Sequence, residues 1–272
     1  MMNTKRMLVA FGLAVLTLAA QRPAMAQARE EAKLLVAAEV LDELRGQRDQ
    51  AIPERLLQRA YGVAVIPSVA KVALVLGGRR GSGAMVVRDS RGRFSNPVFV
   101  NLTGGSVGWQ IGAQETDIVL VFTSRRGVEG IADGKLTLGA GASAAAGPVG
   151  RQAEVAAGVN AEVFAYSRAR GLFAGVALDG TAITIDNKAN RNFYNKRGVL
   201  PSEIMSGAVT TSSENSRRFL AALAASTGES AAAAPATSAA PAAAPGSMPT
   251  APAEGAVKTF PMEDPAPGKE PR

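Results

Sequence analysis

The sequence predicts an α+β fold, a β-rich antiparallel single domain with helices at its N-terminal and C-terminal ends. Short runs rich in valine and isoleucine succeed one another between glycine turns from Gly62 to Asp186. Helical periodicity precedes them and returns after them. The span between leader and tail, residues 27–226, has the length of one ordinary domain.

The first 26 residues read as an export signal: Lys5 and Arg6, an apolar run of 14 from Met7 to Ala20, then Ala24-Met25-Ala26. Small residues at Ala24 and Ala26 are what a signal peptidase reads, whereas spanning a bilayer takes about 20 apolar residues. Cleavage after Ala26 is expected, giving an exported protein, periplasmic or secreted and peripheral to a membrane. The chain has no cysteine, so neither a lipidated cysteine nor a disulfide is available.

"AREEAKLLVAAEVLDELRGQ" sets Leu34, Ala37, Ala38, Leu41 and Leu44 on one helical stripe, and Gly46 stops it. A short helix follows, with Pro53 in its first turn. Candidate strands are "VAVI", "VALVL", "AMVVRD", "PVFVNL", "DIVLVF", "VFAYS", "LFAGVAL" and "AITID". Between the second and third, "GGRRGSG" reads as a glycine turn (Gly77, Gly78, Gly81, Gly83) carrying Arg79 and Arg80. It is not a phosphate loop: Ala84 stands where a Walker lysine would follow Gly83, and no third glycine completes a dinucleotide fingerprint. "AGVALDGTAITID" reads as a hairpin about Asp179-Gly180, and "DSRG" as a second turn. Residues 138–162 are almost all small, which fits either close backbone approach within a sheet or a flexible loop. Thr211 and Glu214 form a capping-box pattern ahead of a last helix. Residues 227–272 form an Ala/Pro-rich tail, expected to be disordered; Pro235, Pro241, Pro245, Pro249 and Pro252 forbid a continuous helix.

Absences narrow the chemistry. With no histidine and no cysteine, an imidazole base, a thiolate and a sulfur–nitrogen zinc site are excluded. No acidic loop has calcium spacing, so no metal, cofactor or catalytic group is expected, and the protein reads as a non-enzyme. One remote alternative is a Ser-Lys hydrolase on Ser68-x-x-Lys71, which needs both residues on one helical turn and a Lys-Thr-Gly element that the chain lacks.

Net charge is +7, with 30 basic and 23 acidic residues. Lys71, Arg79, Arg80, Arg125, Arg126, Lys135, Arg151, Arg168 and Arg170 all fall at or near turns or strand ends. Gathered on one rim they would make a cationic patch, each worth roughly 1 kcal/mol at an anionic membrane; the alternative is a scattered, solvated set. Sparse aromatics and export argue against nucleic acid.

"AYGVAVIPSVAKVALVLGGRRGSGAMVVRD", "SVGWQIGAQETDIVLVF", "GPVGR" and "AYSRARGLFAGVALDG" occur in the order seen in the SYLF domain, which the chain resembles over about residues 52–194. The resemblance implies a lipid-binding module. Family members in eukaryotes bind phosphoinositides, and some bind actin filaments; secreted bacterial members stand alone. For this chain it implies an anionic phospholipid such as phosphatidylglycerol or cardiolipin, with Arg79 and Arg80 as head-group contacts. Actin is not expected as a partner after export. The resemblance also implies membrane contact by an N-terminal helix (Leu34, Leu41, Leu44), although its acids leave packing on the domain as the alternative. An envelope scaffold that binds a protein partner, with the tail as spacer, is the second functional reading.

Overall fold

The computed structural model describes residues 4–46, 52–73, 76–89, 91–107, 112–149, 161–169 and 171–228. In chain order the elements are α1 (Thr4–Gly46), α2 (Glu54–Gln58), β1 (Gly62–Ala73), β2 (Leu76–Val87), β3 (Val98–Val107) and β4 (Gly112–Phe122). Then come α3 (Arg125–Ala132), β5 (Lys135–Thr137), β6 (Ala144–Ala146), β7 (Val163–Ala169), β8 (Leu172–Gly175) and β9 (Thr181–Ile185). The helices α4 (Asn187–Tyr194), α5 (Pro201–Met205) and α6 (Glu214–Ser226) close the fold.

The strands form one sheet in the order β5-β9-β3-β2-β1-β4-β7-β6, with β8 paired to β7. Every pairing is antiparallel except β6 with β7. The two ends of that order, β5 and β6, are joined only by Leu138 to Ser143. Such a link reaches about 25 Å, whereas eight strands laid flat at about 4.8 Å spacing would be some 34 Å across. The sheet must therefore curl, and its concave side must be the smaller core.

Both faces are buried, which is why the strands read as continuous apolar runs. On the concave side Ile66, Met85, Leu102, Leu120 and Ile183 pack with Leu136 from one edge and Val163 from the other. On the convex side Val63, Val65, Phe99, Val121 and Tyr166 meet α1, α4 and α6. Leu34, Leu41 and Leu44 of α1 lie in that core at 0%, 0% and 2% exposure. They are therefore not a membrane-contact stripe: the helix packs on the domain, and its apolar side is used up there. Among the described residues no helix is long and apolar enough to cross a membrane.

Several local readings are corrected. The last helix is capped by Ser213, whose hydroxyl accepts from the Ser216 N–H, while Thr211 Oγ1 accepts from the Ser213 N–H outside the helix. Gly180 adopts the positive φ of +71° that its turn required, but the flanking strands do not pair: β8 joins β7, and β9 joins β3 and β5. Within the small-residue stretch, Ala144 to Ala146 is sheet, and residues 150–160 lie outside the described ones. So do Arg151, Arg170 and tail residues 229–272.

Candidate functional site

β1 and β2 form a long hairpin flanked by β3 on the β2 side and β4 on the β1 side, and the four strands continue past the core as a panel ordered β3-β2-β1-β4. The glycine segment lies inside this panel. Gly77 to Gly83 are strand residues of β2, and none of Gly77, Gly78, Gly81 and Gly83 has a positive φ. The expected glycine turn is thus a strand, and its glycines serve close packing instead. A Cβ on Gly83 would stand 2.1 Å from the Val65 carbonyl oxygen, and one on Gly81 2.6 Å from Val69 Cγ2.

What presses on these glycines is a bulge in β1. Its pairing slips by one residue between Val65 and Ala70 against β2 and between Ile66 and Val69 against β4, where Pro67 lacks an N–H and Ser68 has φ of +50°. The Ser68 N–H donates to Asp117 Oδ1 at 2.9 Å, which holds the extra residue in place. The bulge also resets which way β1 faces. Ile66 and Val69 both enter the concave core although three positions apart, so Lys71 shares that side as well. On β2 the same side carries Met85, Gly83, Gly81 and Arg79 by simple alternation. Lys71 and Arg79 are direct register partners.

The row continues outward as Arg79, Gly104 and Thr181 on β2, β3 and β9. Gly104 is needed: a Cβ there would meet Thr181 Oγ1 at 2.7 Å and Arg79 Cγ at 3.2 Å. Arg79 Nε is buried without a hydrogen-bond partner, and so is the hydroxyl of Thr181, itself 0% exposed. Burial pushes the Arg79 guanidinium below its ordinary pKa, with no carboxylate opposing it. Among the described residues neither Lys71 nor Arg79 joins an ion pair.

The other predicted cations are elsewhere. Arg80 alternates to the opposite face, in the row of Ala70 and Glu115. Arg168 is half-buried between Asp117 and Glu43: its Nε donates to Asp117 Oδ2 at 2.6 Å and its Nη1 to Glu43 Oε2. Burial works against its charge, but these two carboxylates outweigh it and raise its pKa above the ordinary value. It is a clasp between α1 and the sheet. Arg125 faces Glu129 at 3.8 Å on the exposed side of α3. Arg126 beside it is exposed, at the end of the sheet where Gly62 pairs with Phe122; by strand rise that is about 25–30 Å from Lys71. Lys135 opens the edge strand β5. The structure therefore does not gather the described cations on one rim; it brings together Lys71 and Arg79. Thr181 and Gly104 went unread in the sequence, where only the Gly104-Gly105 pair inside an apolar strand marked the spot.

Ser68 and Lys71 lie on a bulged strand, not a helical turn, so the geometry of a Ser-Lys nucleophile is missing. Among the described residues no cluster of acids could hold a metal ion.

The chain is thus a curled β-sheet clad on its convex side by helices, with Lys71 and Arg79 side by side on its concave side. Residues 103–226 match the family described as Ysc84, the Las17-binding protein actin regulator. "Protein YSC84" of Saccharomyces cerevisiae is 43% identical over 152 residues, 54% of this chain and 32% of its own length. "SH3 domain-containing YSC84-like protein 1" of Xenopus laevis is 34% identical over 186 residues, 67% of this chain and 55% of its own. The Homo sapiens protein of that name is 39% identical over 149 residues, covering 54% and 43%. The folded body of this chain belongs to the Ysc84, or SYLF, family. It spans between a third and just over half of the length of these relatives.

Proposed function

We propose that the chain is a non-enzymatic docking module that is exported and binds anionic phospholipid surfaces through the concave side of its β3-β2-β1-β4 panel. The observation that supports this is the Lys71–Arg79 pair. Like charges directly opposed across a ladder repel, and here no described carboxylate offsets them. An anion arriving from outside would. Glu115 lies on the far side of the panel, and Asp179 is held over Gly139, so neither competes for that place.

Magnitude limits the reading usefully. Two cations at about 1 kcal/mol each raise affinity roughly 30-fold. That suffices to bias the protein towards a charged surface but not to anchor it. The expected result is co-sedimentation with phosphatidylglycerol vesicles and not with phosphatidylcholine vesicles, weakening as salt rises. Lys71→Glu with Arg79→Glu should abolish it, while Arg125→Glu with Arg126→Glu should reduce it far less. Equal binding to both lipids would overturn the proposal.

A protein partner is the second reading, supported by the names of the relatives, which describe Las17 binding and actin regulation. The expectation against actin rests on export alone, and export rests on the pattern from Lys5 to Ala26. An N-terminal sequence beginning at Gln27 in protein recovered from the cell envelope would support export. An unprocessed, cytosolic chain would return actin to consideration.

A further inference from the structure

The geometry points to a discrete phosphate subsite over Gly104, built from the Thr181 hydroxyl, the Nε edge of Arg79 and the Lys71 ammonium. It rests on the docking proposal for the biological setting, but not for its chemistry. Buried polar atoms without partners are exceptional. This panel places two of them, Thr181 Oγ1 and Arg79 Nε, in residues that crowd the same point above a glycine. The two belong to strands separated only by β3, and Lys71 continues the row on the next strand. All three are donors, and no described acceptor serves them. The Nε–H and its neighbouring Nη–H form one side of the arginine fork, which matches two oxygens of an oxyanion. Thr181 and Lys71 then call for further acceptors. A planar carboxylate is satisfied by the fork alone, and a phosphodiester has two free oxygens. A phosphate monoester has three and fits the set best.

The same chemistry occurs in a lipid head group and in soluble phosphate, and the test separates them. The full chain is titrated at constant ionic strength with inorganic phosphate, glycerol 3-phosphate and dimethyl phosphate, following the Arg79 Nε–H and Gly104 amide signals by NMR. In parallel it is mixed with vesicles containing phosphatidic acid or phosphatidylglycerol at matched surface charge. Saturable shifts with the two monoesters, weaker with the diester, are expected. Thr181→Val should weaken monoester binding about tenfold, the worth of one hydrogen bond to a charged group, and Thr181→Ser should restore it. Because the hydroxyl has no internal partner, Thr181→Val should also melt no lower than the parent in phosphate-free buffer; a clear loss of Tm there would overturn the subsite. So would the absence of saturable shifts, or equal shifts from monoester and diester. Charge-dependent vesicle binding that ignores Thr181→Val would overturn the subsite and leave the docking proposal standing. Saturable phosphate binding without vesicle binding would do the reverse.

Discussion

At Gly83 a methyl group would stand 2.1 Å from the Val65 carbonyl oxygen and 2.6 Å from the Ile66 Cα, both backbone atoms that cannot swing away. Gly83→Ala is therefore expected to cost about 3 kcal/mol or more in urea denaturation, at the upper end of overpacking penalties. Gly78 is a control in the same strand: a Cβ there meets nothing closer than 3.9 Å, so Gly78→Ala should stay within about 0.5 kcal/mol. The glycines were legible as special in the sequence, but not their reason. A turn uses glycine for φ, whereas this strand uses it for space, and a string of letters looks the same in both cases. Asn190 is a second silent residue. Its buried side chain accepts from the Phe99 N–H at 2.8 Å and donates to the Phe99 carbonyl at 3.2 Å, acting as an extra strand partner. Asn190→Ala should cost about 2 kcal/mol by leaving the buried Phe99 N–H unpaired, the carbonyl keeping the Asp186 N–H, and is read as a lower denaturation midpoint.

The helix α1 shows how an amphipathic stripe can be read correctly and its partner misjudged. Periodicity placed Leu34, Leu41 and Leu44 on one side, and the structure buries that side against β-sheet and α6. Nothing in the spacing distinguishes lipid from protein as the apolar phase. The clasp of Arg168 with Glu43 and Asp117 does distinguish them, but it joins residues far apart in the chain. Leu41→Ala is expected to lose 2–5 kcal/mol of stability while leaving vesicle binding per folded molecule unchanged. A variant that stays stable but no longer binds vesicles would restore the membrane role of the helix.

For the molecule as a whole, most strands and terminal helices were legible because apolar runs of strand length and helical periodicity are local signals. The order of the strands was not. Pairing sets β5 and β6 at opposite ends of one sheet that curls to bring those ends together, and that is decided by long-range contacts. The parallel strand β6 could be tucked against β7 only because its surroundings are small: a Cβ on Gly147 would stand 2.1 Å from the Tyr166 ring, and one on Gly175 2.2 Å from the Gly147 carbonyl oxygen. Gly147→Val should therefore dislodge β6 and expose its edge. The expected sign is faster hydrogen exchange at the Gly147 amide, which donates to the Ala165 carbonyl, with protection at Val119 and Val121 retained. Unchanged exchange at Gly147 would show that the curl tolerates the added bulk.

The bulge in β1 has an evolutionary corollary. Loss of the codon for Ser68 would straighten the strand yet leave Lys71 beside Arg79, because the residue removed is the surplus one. Gain of a single codon between Val69 and Ala70 would turn the lysine to the opposite face of the panel and put Ala70 in its place. The sidedness of the charge is thus robust to the shorter chain and fragile to the longer one, so length variants of this hairpin should be biased towards deletions at Ser68.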